Sequence, residues 1–217
     1  MKIMVGIPTY DGKIQAQVLQ SILNEQVAAK EVGDSLIFNI LPNCSHAAMG
    51  RNQLARTFML SNCDRLVFLD ADVSFEFGSL LKIAHFEEPF VGGAYRYKLE
   101  NELYPVGWLE GDLWSNENGL LEVSNLPGGF LSLSREVFEK LEKEFPRPYT
   151  FQNITAQCHF QMKYEDGQLW GEDSYFCREW RSIGEKVYLY PELTLTHWRG
   201  DVPFVGNIGQ WLLSRGK

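Results

Sequence analysis

The sequence predicts an α/β fold: a mostly parallel sheet sandwiched by helices, with a small antiparallel region in its second half. Strand and helix signals alternate through the first hundred residues, and the second half is richer in strand signals than in helices. No clean linker, internal repeat or low-complexity segment interrupts the chain, so a single domain over residues 1–217 is expected, with residues 201–217 as a tail wrapped around it. At 217 residues and 45% hydrophobic content, such a chain can bury a substantial core.

KIMVGI is a short buried strand, PTYDG a turn-rich loop, and Ile14, Val18, Ile22 or Leu23, and Val27 mark one face of a helix. SLIFNIL is the second strand, followed by the loop PNCSHAAMG and a helix carrying Leu54, Phe58 and Leu60. RLVFLD is the third. Parallel neighbours need a long crossover, and a helix is the usual one. In open sheets of this kind ligands sit beyond the carboxyl ends of the strands, so PTYDG, PNCSHAAMGRN and DADVS converge on one edge.

Further along, FVGGAYRYK and ELYPVGWLEG read as strand-rich, and GLLEVSNLPGGFLSLS as a strand pair broken by Pro127 and two glycines. SREVFEKLEKEF reads as a helix capped by Ser134. Residues 153–167 form a loop, and GEDSYFCREWRSIG a helix with Phe176, Trp180 and Ile183 inward and Gly184 as its stop. KVYLYPELTLTHWRG closes with one or two short strands.

Charge and cysteine content narrow the function. A formal charge of −8 without a basic run argues against a nucleic-acid partner. The four cysteines show no CxxC spacing and are expected reduced. Pro8, Thr9 and Asp11 interrupt any secretory core, and no apolar run approaches the roughly 18 residues of a membrane span. A soluble cytoplasmic protein is expected, with peripheral membrane contact left open.

Three groups of residues carry chemistry. Asp70 and Asp72 stand at the end of an apolar strand, where alternate side chains reach one side of the sheet edge. Two adjacent carboxylates raise each other's cost of ionisation unless a cation relieves it. Mg2+ or Mn2+ would do so and would also attract phosphates; alternatively, Asp72 caps a following helix. Glu172 and Asp173 open an amphipathic helix, either as acids suited to its positive end or as a general base. His197 follows an alternating segment and is either a hydrogen-bonded structural residue or a ligand, suiting Mn2+ better than Mg2+. Arg51, Arg56, Arg96, Arg199 and Lys98, supplemented by helix N-termini, are candidate partners for a phosphate. There is no GxGxxG after the first strand, no GxxxxGK[ST] and no GxSxG, which counts against dinucleotide enzymes, P-loop phosphotransferases and α/β-hydrolases.

Taken in order, IPTYDG, GRNQLAR, FLDADVSF, LPGGFLSLS, LWGEDSYF and THWRG resemble the motif series of GT-A fold glycosyltransferases that use nucleoside-diphosphate sugars, especially the bacterial and viral family 2-like enzymes. The WGED and GGF segments are also similar to those of animal galactosyltransferases. The resemblance runs over about residues 3–200 and implies a nucleotide-binding half to about residue 100 and an acceptor-binding half over about 101–200. It implies that Pro8, Thr9, Tyr10 and Asp11 hold the nucleoside base, with Arg51 and Asn52 flanking base and diphosphate. By the same resemblance Asp70, with Ala71 beside it, lies near the ribose, Asp72 ligates the metal, and His197 completes the metal shell. Gly128 and Gly129 let backbone approach the donor sugar, and Glu172 and Asp173 lie near the acceptor, Asp173 being the base. Trp108, Trp170 and Trp198 are either stacking platforms or core.

The resemblance implies a metal-dependent transferase moving one sugar from a UDP-sugar, or next a GDP-sugar, to a glycan or other hydroxyl acceptor, with inversion. In place of the QxxRW motif of many family 2 enzymes stands CREWRSIG, which speaks against a processive polymerase. Two other readings stay open: a sugar nucleotidyltransferase, whose glycine-rich first loop GIPTYDG does not match, and a non-catalytic protein of the same fold that binds a sugar nucleotide or glycan.

Overall fold

The computed structural model describes residues 1–151, 153–165 and 167–216. The elements, in chain order, are β1 (Lys2–Pro8), α1 (Ala16–Glu31), β2 (Ser35–Leu41), α2 (Ala47–Leu60), β3 (Arg65–Leu69), β4 (Val73–Phe75), α3 (Ser79–Ala84), β5 (Phe90–Gly92), β6 (Leu121–Val123), β7 (Phe130–Ser134), α4 (Arg135–Glu144), β8 (Pro148–Phe151), β9 (Ile154–Gln157), β10 (Lys163–Glu165), β11 (Gln168–Trp170), α5 (Glu172–Ser182), β12 (Val187–Leu189), β13 (Thr194–Arg199), β14 (Val202–Asn207) and α6 (Ile208–Ser214).

The central sheet runs β2-β1-β3-β7-β5-β12-β6. β2, β1 and β3 are parallel, as are β5 and β12, whereas β7 and β6 pair antiparallel to their neighbours. The fold class is therefore the expected one, a mainly parallel sheet between helices with small antiparallel sheets beside it. Alternation across the pleat supplies two cores. Ile3, Val5, Ile7, Val67 and Leu69 pack with Val18 and Ile22 of α1 and Leu80 and Ile83 of α3. Met4, Phe68, Leu131 and Leu133 pack with Leu54 and Phe58 of α2, Phe138 of α4, and Phe176 and Trp180 of α5. β1 and β3 are apolar on both faces because both faces are covered.

Several local expectations need correction. The inward face of α1 is Val18, Ile22, Glu25 and Ala29, while Leu23 and Val27 are exposed, as is Leu60 at the end of α2. Glu25 displaced the apolar pattern because its carboxylate accepts from the Gly78 and Leu81 backbone N–H groups at 2.7 and 2.8 Å, tying α1 to the start of α3. Ser134 precedes α4, but its hydroxyl makes no cap bond. Residues 93–120 form no strand beyond isolated bridges, and the expected loop of residues 153–167 instead contributes to the hairpins β8–β9 and β10–β11. Its position 166 lies outside the described residues.

A second sheet, β14-β13-β4, gives the tail a defined place. β4 begins one residue after Asp72, and its antiparallel register sets His197 opposite Val73 and Leu195 opposite Phe75. The four cysteines are free thiols. No helix among the described residues is long and apolar enough to cross a membrane.

Burial pushes the Glu25 carboxyl upward, against opposing backbone hydrogen bonds from Leu81, Gly78 and Leu80. The folded protein thus holds this proton more tightly than the unfolded chain. Its contribution is full below the unfolded value near 4.5 and is lost as pH rises through the folded value. Denaturant unfolding of the wild type and Glu25→Gln between pH 4 and 8 is expected to show the wild type losing stability relative to the variant as pH rises; parallel curves would refute the assignment.

Candidate active site

The cleft lies at the carboxyl ends of β1, β2 and β3. One part, about 450 Å³, is lined by Pro8, Thr9, Tyr10, Asp11, Lys13 and Asp72 among others. A second part, about 390 Å³, shares Pro8, Thr9, Tyr10 and Asp70 with the first and extends to Arg51, Glu172 and Asp173. Ala71 lines the first part too. The loop after β1 is held to the loop after β2, the Thr9 N–H donating to Leu41 at 2.9 Å and the Cys44 N–H to the Thr9 carbonyl at 2.9 Å.

Asp70 and Asp72 lie beyond the end of β3 and are not on a strand. They flank a turn closed by the Val73 N–H to the Asp70 carbonyl at 3.1 Å, and the carboxylates have separate partners. Asp72 is followed by strand β4, so it caps no helix. Asp70 accepts from Arg51 Nη2 at 2.9 Å and from the Tyr95 hydroxyl at 3.0 Å. Arg51 also donates to Glu172 at 2.5 Å. Its side chain is only 4% exposed, so one guanidinium beneath the cleft floor joins the turn after β3 to the start of α5. Burial opposes the charge on Arg51, but Asp70 and Glu172 outweigh it, and its pKa is held above the ordinary value. Burial, reinforced by Asp70, pushes the Tyr95 phenol well up, so it stays a neutral donor.

Asp72 accepts from Lys98 Nζ at 2.5 Å, and the same oxygen, Oδ2, lies 3.6 Å from His197 Nε2. Burial raises the Asp72 carboxyl, yet His197 and Lys98 more than offset it and the net shift is downward. His197 Nδ1 is 3.0 Å from the Arg96 carbonyl. A carbonyl only accepts, so Nδ1 carries a proton and Nε2 is the nitrogen that faces Asp72. A backbone carbonyl thus fixes the ring orientation and leaves Nε2 as the atom that could ligate a metal. Among the described residues no three His, Cys, Asp or Glu side chains cluster as a metal site. A divalent ion held by Asp72 and His197 would have to take its remaining ligands from water and substrate oxygens, as Mg2+ and its relatives do.

Asp173 accepts from the Gly128 N–H at 3.2 Å and the Ser174 N–H at 2.7 Å. Gly171 is the residue before α5, so Glu172 and Asp173 occupy its first turn. The adjacent glycines Gly128 and Gly129 have a local packing reason. A Cβ on Gly128 would lie 2.7 Å from the Arg51 guanidinium carbon, and one on Gly129 would lie 2.2 Å from Asp70 Oδ2 and 2.6 Å from the Tyr95 hydroxyl. They make room for the buried charges under the cleft.

Asn52 faces away from the cleft. It is buried and exchanges two 2.8 Å hydrogen bonds with the Phe160 backbone. The three tryptophans have partners of their own: Trp108 packs on the core, Trp170 lies under Arg178, and Trp198 donates to Ser74 at 2.8 Å. Of the candidate phosphate partners, Arg56 donates to the Thr155 carbonyl, Arg96 to the Leu99 and Glu100 carbonyls, and Arg199 to the Lys98 carbonyl. Tyr95 and Lys13 were not singled out by sequence. Lys13 pairs with Asp11 in the cleft lining at 2.9 Å and is 82% exposed. The YRYK run was the available signal, since Tyr95, the Arg96 carbonyl and Lys98 all serve the Asp70–Asp72 turn.

Gly129→Ala is expected to displace Asp70 and Tyr95 and to destabilise the fold by about 1–3 kcal/mol, as read by denaturation. Asn52→Ala leaves the buried Phe160 N–H unpaired and its carbonyl with only the Cys158 thiol at 3.7 Å. It should cost roughly 1–3 kcal/mol of stability, read by denaturant unfolding.

No family model and no curated protein sequence matches the chain. Solved structures similar to it include the inositol-1-phosphate CTP transferase from T. maritima, at 9% identity and a TM-score of 0.48, with 92% of this chain and 89% of that one covered. GalNAc-T7 with UDP, GalNAc and Mn2+ aligns at 12% identity and a TM-score of 0.46, covering 93% of this chain and 44% of that one. S. aureus TarS 1-349 aligns at 12% identity and a TM-score of 0.48, over 87% of this chain and 58% of its own. This chain thus spans about half the length of the latter two, and the likeness is one of chain path alone.

Proposed function

We propose that the protein is a metal-dependent glycosyltransferase that moves a single hexose from a nucleoside-diphosphate sugar, with UDP favoured over GDP, to a hydroxyl of a glycan or other acceptor. The observation that carries this reading is the position of two acidic centres in one cleft, Asp72 with His197 on one side of Asp70 and Glu172 with Asp173 on the other. The six ordered sequence motifs support it, and the binding halves follow the division given by the resemblance.

In this reading the loop from Pro8 to Asp11 seats the nucleoside, and Asp70 accepts from the ribose. Asp72 and His197 hold Mn2+ or Mg2+, which when bound supplies neutralising charge to the leaving diphosphate. Lys13, extended into the same part of the cleft, adds a mobile positive charge near those phosphates. Asp173, fixed by the Gly128 and Ser174 N–H groups, accepts the acceptor hydroxyl's proton as its oxygen attacks the anomeric carbon. Attack opposite the departing diphosphate gives inversion. Glu172 is committed to Arg51 and orients the start of α5.

The test is incubation with UDP-glucose and Mn2+, following UDP release by chromatography with and without a panel of sugar acceptors. A transferase releases UDP slowly to water and faster with its acceptor; a nucleotidyltransferase yields UTP only when pyrophosphate is added; a binding protein yields neither. Asp173→Asn is expected to keep donor affinity while transfer falls by about 10^2 or more; undiminished transfer would remove it as the base.

A further inference from the structure

Lys98 belongs to the cleft in a way that the proposed chemistry does not use. Its ammonium lies 2.5 Å from Asp72 Oδ2, the same oxygen that faces His197 Nε2. A divalent ion held between that oxygen and that nitrogen would meet the ammonium at the shared atom, and like charges at such range repel strongly where side chains are partly buried. Only one of the two cations can neutralise Oδ2 at a time.

Lys98 is also placed by backbone, not by chance rotation at a free surface. Its segment is pinned at the Arg96 side chain by the Leu99 and Glu100 carbonyls, at the Tyr97 N–H by the Leu103 carbonyl at 2.8 Å, and at the Lys98 carbonyl by Arg199. The backbone of the segment is fixed, while a quarter of the Lys98 side chain is exposed.

Resting on the metal-dependent reading above, we propose that Lys98 is an internal cation that blocks the metal position until nucleotide arrives. In the free protein the ammonium satisfies Asp72. When a nucleoside diphosphate enters with its ion, the phosphate oxygens offer Lys98 a second anionic partner, and the carboxylate is released to the metal. Metal alone must displace the lysine with nothing to receive it. Metal and nucleotide therefore bind with positive coupling, and the coupling is reciprocal because both ligands act on one equilibrium.

The experiment measures Mn2+ binding by electron paramagnetic resonance, first alone and then with UDP or GDP, for the wild type, Lys98→Met and Lys98→Arg. The wild type is expected to bind Mn2+ weakly alone and far more tightly with nucleotide. Lys98→Met should bind Mn2+ alone about tenfold or more tightly than the wild type, and the gain from nucleotide should shrink by a similar factor. Lys98→Arg, which keeps a cation, should stay near the wild type. Unchanged or weaker Mn2+ binding by folded Lys98→Met, with metal binding otherwise intact, overturns this inference and leaves the metal-dependent reading standing. Nucleotide binding that ignores Mn2+ and is lost in Lys98→Met overturns both, making the lysine the permanent counter-charge. Absence of Mn2+ binding in every variant, with or without nucleotide, likewise overturns both.

Discussion

The site depends on how the protein tolerates two carboxylates one residue apart at the end of a buried strand. It separates them by a turn and gives each its own cation, Arg51 to Asp70 and Lys98 to Asp72. Much of the surrounding sequence serves that separation. Gly128 and Gly129 leave room for the guanidinium and the carboxylate, Tyr95 fills the second bond of Asp70, and Glu172 uses the other arm of Arg51. The two cations differ in kind. The guanidinium is enclosed, bound by two acids and always charged, so it acts as framework; the ammonium is partly exposed on a flexible stem and can be exchanged.

Because Arg51 touches both Asp70 and Glu172, the two parts of the cleft are not mechanically separate. A shift of the first turn of α5 reaches the turn after β3 through one rigid planar group. Breaking one arm would leave a buried charge with half its compensation, a cost of several kcal/mol in order of magnitude. α2, which carries Arg51, and α5, which carries Glu172, accordingly pack beside each other on one face of the central sheet.

The first half of the fold was legible because its signals are local. KIMVGI and RLVFLD are unbroken apolar runs, each long enough for a strand covered on both faces, and the loops after them fall at the ligand-binding edge by topology alone. The second half was less so. Residues 93–120 are rich in aromatic residues, as strands are, yet they run as a strap with only isolated bridges, held in part by side-chain bonds. Glu25 broke the apolar face of α1 for a reason located at residues 78–81, beyond any helical period. At the site, the identities of the acids were legible from motif order, but their partners were not. Nothing in GRNQLAR says that the arginine points into the floor while the asparagine beside it turns to Phe160; that follows from a helix placing neighbours about 100° apart.

The pairing of β13 with β4 sets His197 across from Val73, and so beside Asp72, by ladder hydrogen bonds rather than by contacts of the imidazole itself. In a strand, a shift of the frame by a single position reverses which side chains face each surface. Were the β13–β14 ribbon to slide by one place, the imidazole would leave the cleft and an indole or a hydroxyl would take its position, with every side chain chemically intact. The place of the imidazole is thus written in the alignment of two distant backbones, and lesions far from the cleft that loosen that alignment can move it.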